Sequence, residues 1–137
     1  MDISAFKADP SKIEWVGDIP GMGDLRLKVR SSRCSAFRDA SARLRRAVPR
    51  TSLNRDGTMP ADLAEKISGE AMAELLEDWE NLTSGGAAMP FNKAAAMDLL
   101  TKPEFSIFRE AVAWAADFVA SATAEQEAVT LGNSPAP

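Results

Sequence analysis

The sequence predicts a mainly α-helical protein, in which a small N-terminal β-hairpin packs on about four helices and a flexible C-terminal tail follows. Apolar residues recur at spacings of three and four through most of residues 34–122, which is the period of an amphipathic helix. Residues 25–30 instead alternate apolar and charged side chains, as a half-buried strand does. The final residues are mostly Ala, Glu, Thr, Ser, Gly and Pro, which favours disorder.

Length and composition indicate one domain. The chain has 137 residues, of which 45% are hydrophobic, enough for one core. We expect a flexible N-terminus over residues 1–12, a single helical domain with its hairpin over residues 13–122, and a disordered tail over residues 123–137.

Composition also argues against several classes of function. The chain has no histidine, so the usual general base and the commonest metal ligand are missing. The one cysteine, Cys34, cannot form an internal disulfide. No apolar stretch approaches the roughly 20 residues that span a bilayer, and no export signal is recognisable. We expect a cytoplasmic protein with no catalytic residues, metal, cofactor or membrane contact.

The hairpin is predicted from a β-capable run at residues 13–16, a turn-rich segment at 17–24 and the alternating strand. A first helix follows, with Cys34, Phe37 and Leu44 on its buried side, and Pro49 ends it. We expect Cys34 to be a buried small residue rather than a reactive thiol. The exposed side of this helix forms a basic face: Arg38, Arg43, Arg45 and Arg46.

A second helix is predicted over residues 61–82, after a turn at residues 54–57. Its apolar stripe includes Ile67, Ala71, Leu75 and Leu82. Gly69 lies inside this helix, where glycine costs roughly 1 kcal/mol relative to alanine, so we expect another backbone to approach closely there.

A third, short helix is expected to begin at the N-cap Asn92 and to end at Leu100. The next residues read as a capping box, with Thr101 at the N-cap and Glu104 at N3. Leu100 and Phe105 would then form a hydrophobic staple that fixes the angle between the last two helices.

The last helix, predicted over residues 103–122, carries two apolar stripes. One, which contains Phe108, Val112 and Val119, can face the core. The adjoining stripe contains Ile107, Trp114 and Phe118, so the apolar arc is wider than a surface helix needs. The aromatic residues either fill the core or leave a surface for a partner or for self-association. The partner-binding candidates are Trp79, Phe91, Ile107, Trp114 and Phe118.

Charge is divided between two segments. Ten of the sixteen basic residues lie in residues 26–55 with one acid, Asp39, whereas residues 56–80 hold eight acids and one base, Lys66. Either helical faces of opposite sign attract each other within the fold, or the basic face docks to an acidic partner. Nucleic acid is not expected, because the net charge is −4 and no aromatic residues alternate with the arginines to stack on bases.

A set of short motifs resembles the tail assembly chaperones of long-tailed bacteriophages and prophages. The motifs are Leu75-Leu76-x-x-Trp79-x-x-Leu82-Thr83, Pro90-Phe91-Asn92, Leu99-Leu100, Pro103-Glu104-Phe105 and Phe108-Arg109-x-x-Val112-x-x-Ala115. The N-terminal hairpin is similar as well, so the resemblance covers about residues 13–120.

The resemblance implies a non-enzymatic, mostly helical protein of the bacterial host cytoplasm. Such a chaperone binds the tape-measure protein, helps to recruit tail-tube subunits, and is absent from the mature virion. The alternative is a structural virion component, such as a head-to-tail completion protein; an enzyme is the third choice.

Overall fold

The computed structural model describes residues 1–121, so the predicted tail at residues 123–137 lies outside the described part of the chain. Within residues 1–121 the fold is mixed α and β, with four α-helices and two small antiparallel sheets. The prediction of a mainly α protein with a single hairpin is therefore wrong. The elements are β1 (Ile13–Val16), β2 (Arg26–Arg30), α1 (Ser35–Arg46), α2 (Ala61–Met72), β3 (Leu76–Glu80), β4 (Thr83–Ser84), β5 (Ala87–Ala88), α3 (Lys93–Thr101) and α4 (Ser106–Ser121).

The predicted hairpin is confirmed as β1 and β2, which pair in antiparallel register with Val16 opposite Leu27. The alternation of β2 gives the sheet one apolar face, because Leu27 and Val29 are fully buried. The charged residues of β2 lie on the other face, where the Arg26 guanidinium stands 5.3 Å from the centre of the Trp15 ring.

The second helix was predicted to continue to residue 82, but α2 ends at Met72 and the chain then forms β3. Strand β3 pairs with β2, placing Trp79 opposite Leu27, with an irregularity of register between Lys28 and Val29. Cross-strand ion pairs reinforce the register: Arg26 to Glu80 at 2.9 Å and Arg30 to Glu77 at 2.6 Å. Residues 76–80 form a strand instead of a helix because they pair with β2, which lies far away in the sequence.

The apolar face of the sheet packs against α4, and the core forms between these two layers. Small residues on α4, Ala111, Ala115 and Ala116, are buried beside Val112 and so allow a close approach. Helix α2 contacts α1, α3 and α4. Cys34 is buried at the N-cap of α1, as expected.

The junction between α3 and α4 differs from the prediction. Asn92 is the N-cap of α3, as expected, since its side chain accepts a 2.7 Å hydrogen bond from the Ala95 N–H. Thr101, however, is the last residue of α3, and its hydroxyl donates to the Met97 carbonyl at 2.7 Å. One turn of 3-10 helix, Pro103–Phe105, then precedes α4. The predicted capping box is wrong because Thr101 completes one helix and does not begin the next.

Candidate partner-binding surface

Helix α4 presents three large apolar side chains to solvent. Ile107 is 63% exposed, Trp114 39% and Phe118 52%. Trp114 and Phe118 lie seven and eleven positions after Ile107, so the three side chains align on one side of the helix over roughly 16 Å. The Trp114 and Phe118 rings are stacked with their centres 5.5 Å apart. We name these three residues the apolar strip.

The apolar strip borders the core-facing side of the same helix. Ala111, which lies between Ile107 and Trp114 along this side, is 3% exposed, while Val112 and Val119 are fully buried. Two exposed acids, Glu110 and Asp117, lie beside the strip on its solvent side. The arrangement suits a partner helix with an apolar stripe and basic residues at its edge.

The other two partner-binding candidates lie elsewhere. Trp79 is only 5% exposed, and its indole N–H donates a 2.7 Å hydrogen bond to the Met89 carbonyl. Its ring packs edge-on against Phe91 at 4.8 Å and Phe108 at 6.0 Å. Trp79 is therefore a core residue, and half-buried Phe91 covers it. The structure therefore brings Ile107, Trp114 and Phe118 together on α4. Trp79 and Phe91 are not part of that group.

The predicted basic face is exposed on α1, as the pattern required. The expectation that opposite charges pair between two helices is only partly met. The basic side chains of β2, Arg26 and Arg30, are the ones that pair with acids of β3. The acids of residues 74–80 do not share one helical face, because Glu74 lies in the turn after α2 and Asp78 in β3.

Arg109 is a structural residue that sequence reasoning did not single out. Its side chain is 14% exposed and approaches Glu65 of α2 at 3.7 Å. It also donates to the Leu100 carbonyl of α3 at 3.5 Å. In the sequence it was part of the motif Phe108-Arg109-x-x-Val112-x-x-Ala115, with no structural role assigned to it. The residue thus connects three helices on the side of α4 away from solvent.

Among the carboxyl groups of residues 1–121, those of Asp9 and Asp56 have shifted pKa values, and both lie in turns. The Ser11 hydroxyl and N–H lower the pKa of Asp9, and those of Thr58 lower the pKa of Asp56. Within residues 1–121 no group of three or more Cys, Asp or Glu side chains is arranged to hold a metal ion. In the same part of the chain, every helix is too short or too polar to cross a bilayer.

Comparison with known protein families places most of the chain in one family. The family model described as YdaY prophage protein matches residues 31–133, which is well over half of the chain and includes α1, α2, α3 and α4. No curated protein and no solved structure matches. On the extent of that match, the chain belongs to the YdaY prophage protein family.

Proposed function

We propose that this prophage protein is a non-enzymatic tail assembly chaperone, which binds the tape-measure protein through the apolar strip of α4 and aids the recruitment of tail-tube subunits. Membership of a prophage family supports the phage context. The motifs shared with tail assembly chaperones support the narrower assignment. The observation that carries the proposal is the apolar strip itself.

The strip has the size and chemistry of a site for one amphipathic helix. Its three anchors follow the spacing with which one helix packs against another, and two of them are aromatic residues, which often dominate interface energies. Water contacts them in the free protein, so covering them with an apolar partner is favourable.

A tape-measure protein is a suitable partner because it is long, helical and partly apolar before tube subunits surround it. In the proposed complex, apolar residues of one of its helices pack on Ile107, Trp114 and Phe118. Lysine or arginine residues at the edge of that helix pair with Glu110 and Asp117. Arriving tube subunits then displace the chaperone, which leaves the assembled tail.

The proposal is tested by co-expressing the protein with the tape-measure protein and isolating the complex. Trp114→Ala and Phe118→Ala are each expected to reduce the recovered tape-measure protein severalfold. Phe6→Ala is the matched control, because Phe6 is an exposed aromatic residue in the N-terminal 3-10 turn and is not part of α4. Equal recovery with all three variants would contradict the assignment of the strip.

Mass spectrometry of purified particles separates the chaperone from a structural virion component. A chaperone is expected to be absent from mature particles or present far below the amount of tube protein. A fixed stoichiometric amount in every particle would favour the structural role instead.

A further inference from the structure

The arginines around α1 have no partners within the part of the chain that the structure describes. Seven of them are exposed and make no ion pair or side-chain hydrogen bond with any residue in 1–121. We call them the arginine face: Arg33, Arg38, Arg43, Arg45, Arg46, Arg50 and Arg55. The bases that do pair with acids lie on other elements. A net charge of −4 therefore coexists with a concentrated, unneutralised positive surface.

The geometry of this face is regular along α1. Arg38 and Arg45 are seven residues apart, so they share one side of the helix at a separation of roughly 10 Å along its axis. Ala42 lies between them and is exposed, so no large side chain blocks the space between the two guanidinium groups.

An open pocket of about 370 Å³ adjoins the start of the arginine face. Pro10, Ile13 and Ala36 supply apolar lining, and Ile13 is exposed in the free protein. Arg30, Arg33 and Arg38 line the same pocket. An apolar cleft among arginines fits an apolar side chain that is flanked by carboxylates, a combination found in acidic amphipathic protein segments.

We propose that the arginine face is a second docking surface, and that its occupant is an acidic amphipathic helix of a partner protein. Carboxylates of that helix pair with Arg38 and Arg45, and one of its apolar side chains enters the pocket beside Ile13. Complementary charge of this kind mainly determines the specificity and the rate of association. The inference does not depend on the function proposed for α4, because it involves different residues on a different helix.

The surroundings of the face favour protein over nucleic acid. Helix α2 packs against α1 and brings Glu70 to the groove beside Leu44 and Ala47, while α1 itself carries Asp39. These carboxylates would repel a phosphate backbone that extends past the arginines. Phe37, the aromatic residue of α1, is half-buried in the core and does not offer a face for base stacking.

The test uses the full chain and a fluorescent helical peptide that carries two glutamates seven positions apart and one leucine. Its Glu→Gln and Leu→Ser forms serve as peptide controls. Arg38→Glu and Arg45→Glu are each expected to weaken binding about fivefold. Lys102→Glu makes the same change of charge at an exposed site after α3, and it is expected to weaken binding less than about twofold.

Fluorescence anisotropy at two salt concentrations measures these affinities, and circular dichroism verifies that each variant is folded. The proposal predicts that both control peptides bind more weakly than the parent, and that added salt weakens the parent. It is overturned if the Glu→Gln or Leu→Ser peptide binds as well as the parent, or if the arginine variants behave like Lys102→Glu. Tighter binding of duplex or single-stranded DNA than of the peptide would also overturn it.

Discussion

Gly69 of α2 lies directly against the carbonyl group of Leu100 at the end of α3. A Cβ atom at Gly69 would fall 2.8 Å from the Leu100 carbonyl carbon and would overlap the carbonyl oxygen itself. The obstacle is backbone, which cannot move aside as a flexible side chain can. The close approach expected from the sequence is confirmed, and it sets the separation of these two helices.

Gly69→Ala is therefore expected to destabilise the protein by about 2 kcal/mol or more, although alanine is the better helix former by roughly 1 kcal/mol. Chemical denaturation measures the change as a shift of midpoint at constant slope. Ser68→Ala is the control, because Ser68 is exposed on the same helix and its replacement should change stability by less than about 0.5 kcal/mol. A Gly69→Ala protein as stable as the parent would rule out this packing.

Arg109 is expected to stabilise the protein where α2 and α3 meet, at the Leu100 carbonyl. The Leu100 carbonyl belongs to the last turn of α3, where carbonyls lack a partner within the helix, and Arg109 donates to it. Arg109→Ala should lower the free energy of unfolding by about 1 kcal/mol.

Its ion pair with Glu65 should matter less, because Glu65 is largely exposed and the separation is 3.7 Å. Glu65→Ala is thus expected to change stability by less than about 0.5 kcal/mol. If Glu65→Ala were as harmful as Arg109→Ala, the ion pair rather than the carbonyl contact would be the main interaction.

Truncation of Leu100 is expected to destabilise the protein more than truncation of Phe105. Leu100 is fully buried, so Leu100→Ala should cost about 3 kcal/mol. Phe105 is 39% exposed, which is not the buried position that a staple requires, and Phe105→Ala should cost about half as much. Urea denaturation of both variants compares them directly; equal losses would place Phe105 in the core.

The turn between α1 and α2 contains Asp56, whose contribution to stability is expected to depend on pH. The Asp56 carboxylate accepts hydrogen bonds from the Thr58 hydroxyl at 2.6 Å and from its N–H at 3.0 Å, and these lower the pKa of Asp56. Because the folded-state pKa is lowered, the stabilisation is present above the unfolded-state pKa and is lost as pH falls through the folded-state pKa.

Thr58→Val removes the hydroxyl, which is the larger cause of this shift, and should raise the pKa of Asp56 toward its usual value. NMR titration of the carboxyl carbon measures the change. Asp9, whose pKa is lowered by Ser11 in another turn, should titrate as before in this variant. An unchanged Asp56 titration would mean that the hydroxyl contact is absent in solution.

Local patterns predicted the elements that depend on local interactions. The alternation of β2, the N-cap Asn92 and the turn at residues 54–57 were each readable from neighbouring residues, and the structure contains all three. The exposed apolar side of α4 followed from helical spacing alone, because its arc is wider than one neighbouring layer can cover.

Strand β3 could not be predicted in the same way. Leu75 continues the helical stripe of Ile67 and Ala71, and the short apolar run around Leu76 fits a helix or a strand. Its pairing with β2 joins residues about fifty positions apart, which local spacing does not encode. Trp79 was therefore predicted to lie in a helix, whereas it lies in the sheet and faces the core.

The most direct test of the central claim is the affinity for the tape-measure protein, measured by calorimetry with the parent and with the Trp114→Ala/Phe118→Ala double variant. Loss of two aromatic anchors is expected to raise Kd by about a hundredfold in a protein that stays folded, although the free energy of unfolding falls by about 2 kcal/mol because Trp114 is 39% and Phe118 52% exposed. A Kd within about twofold of the parent would contradict the proposal that the apolar strip binds the tape-measure protein.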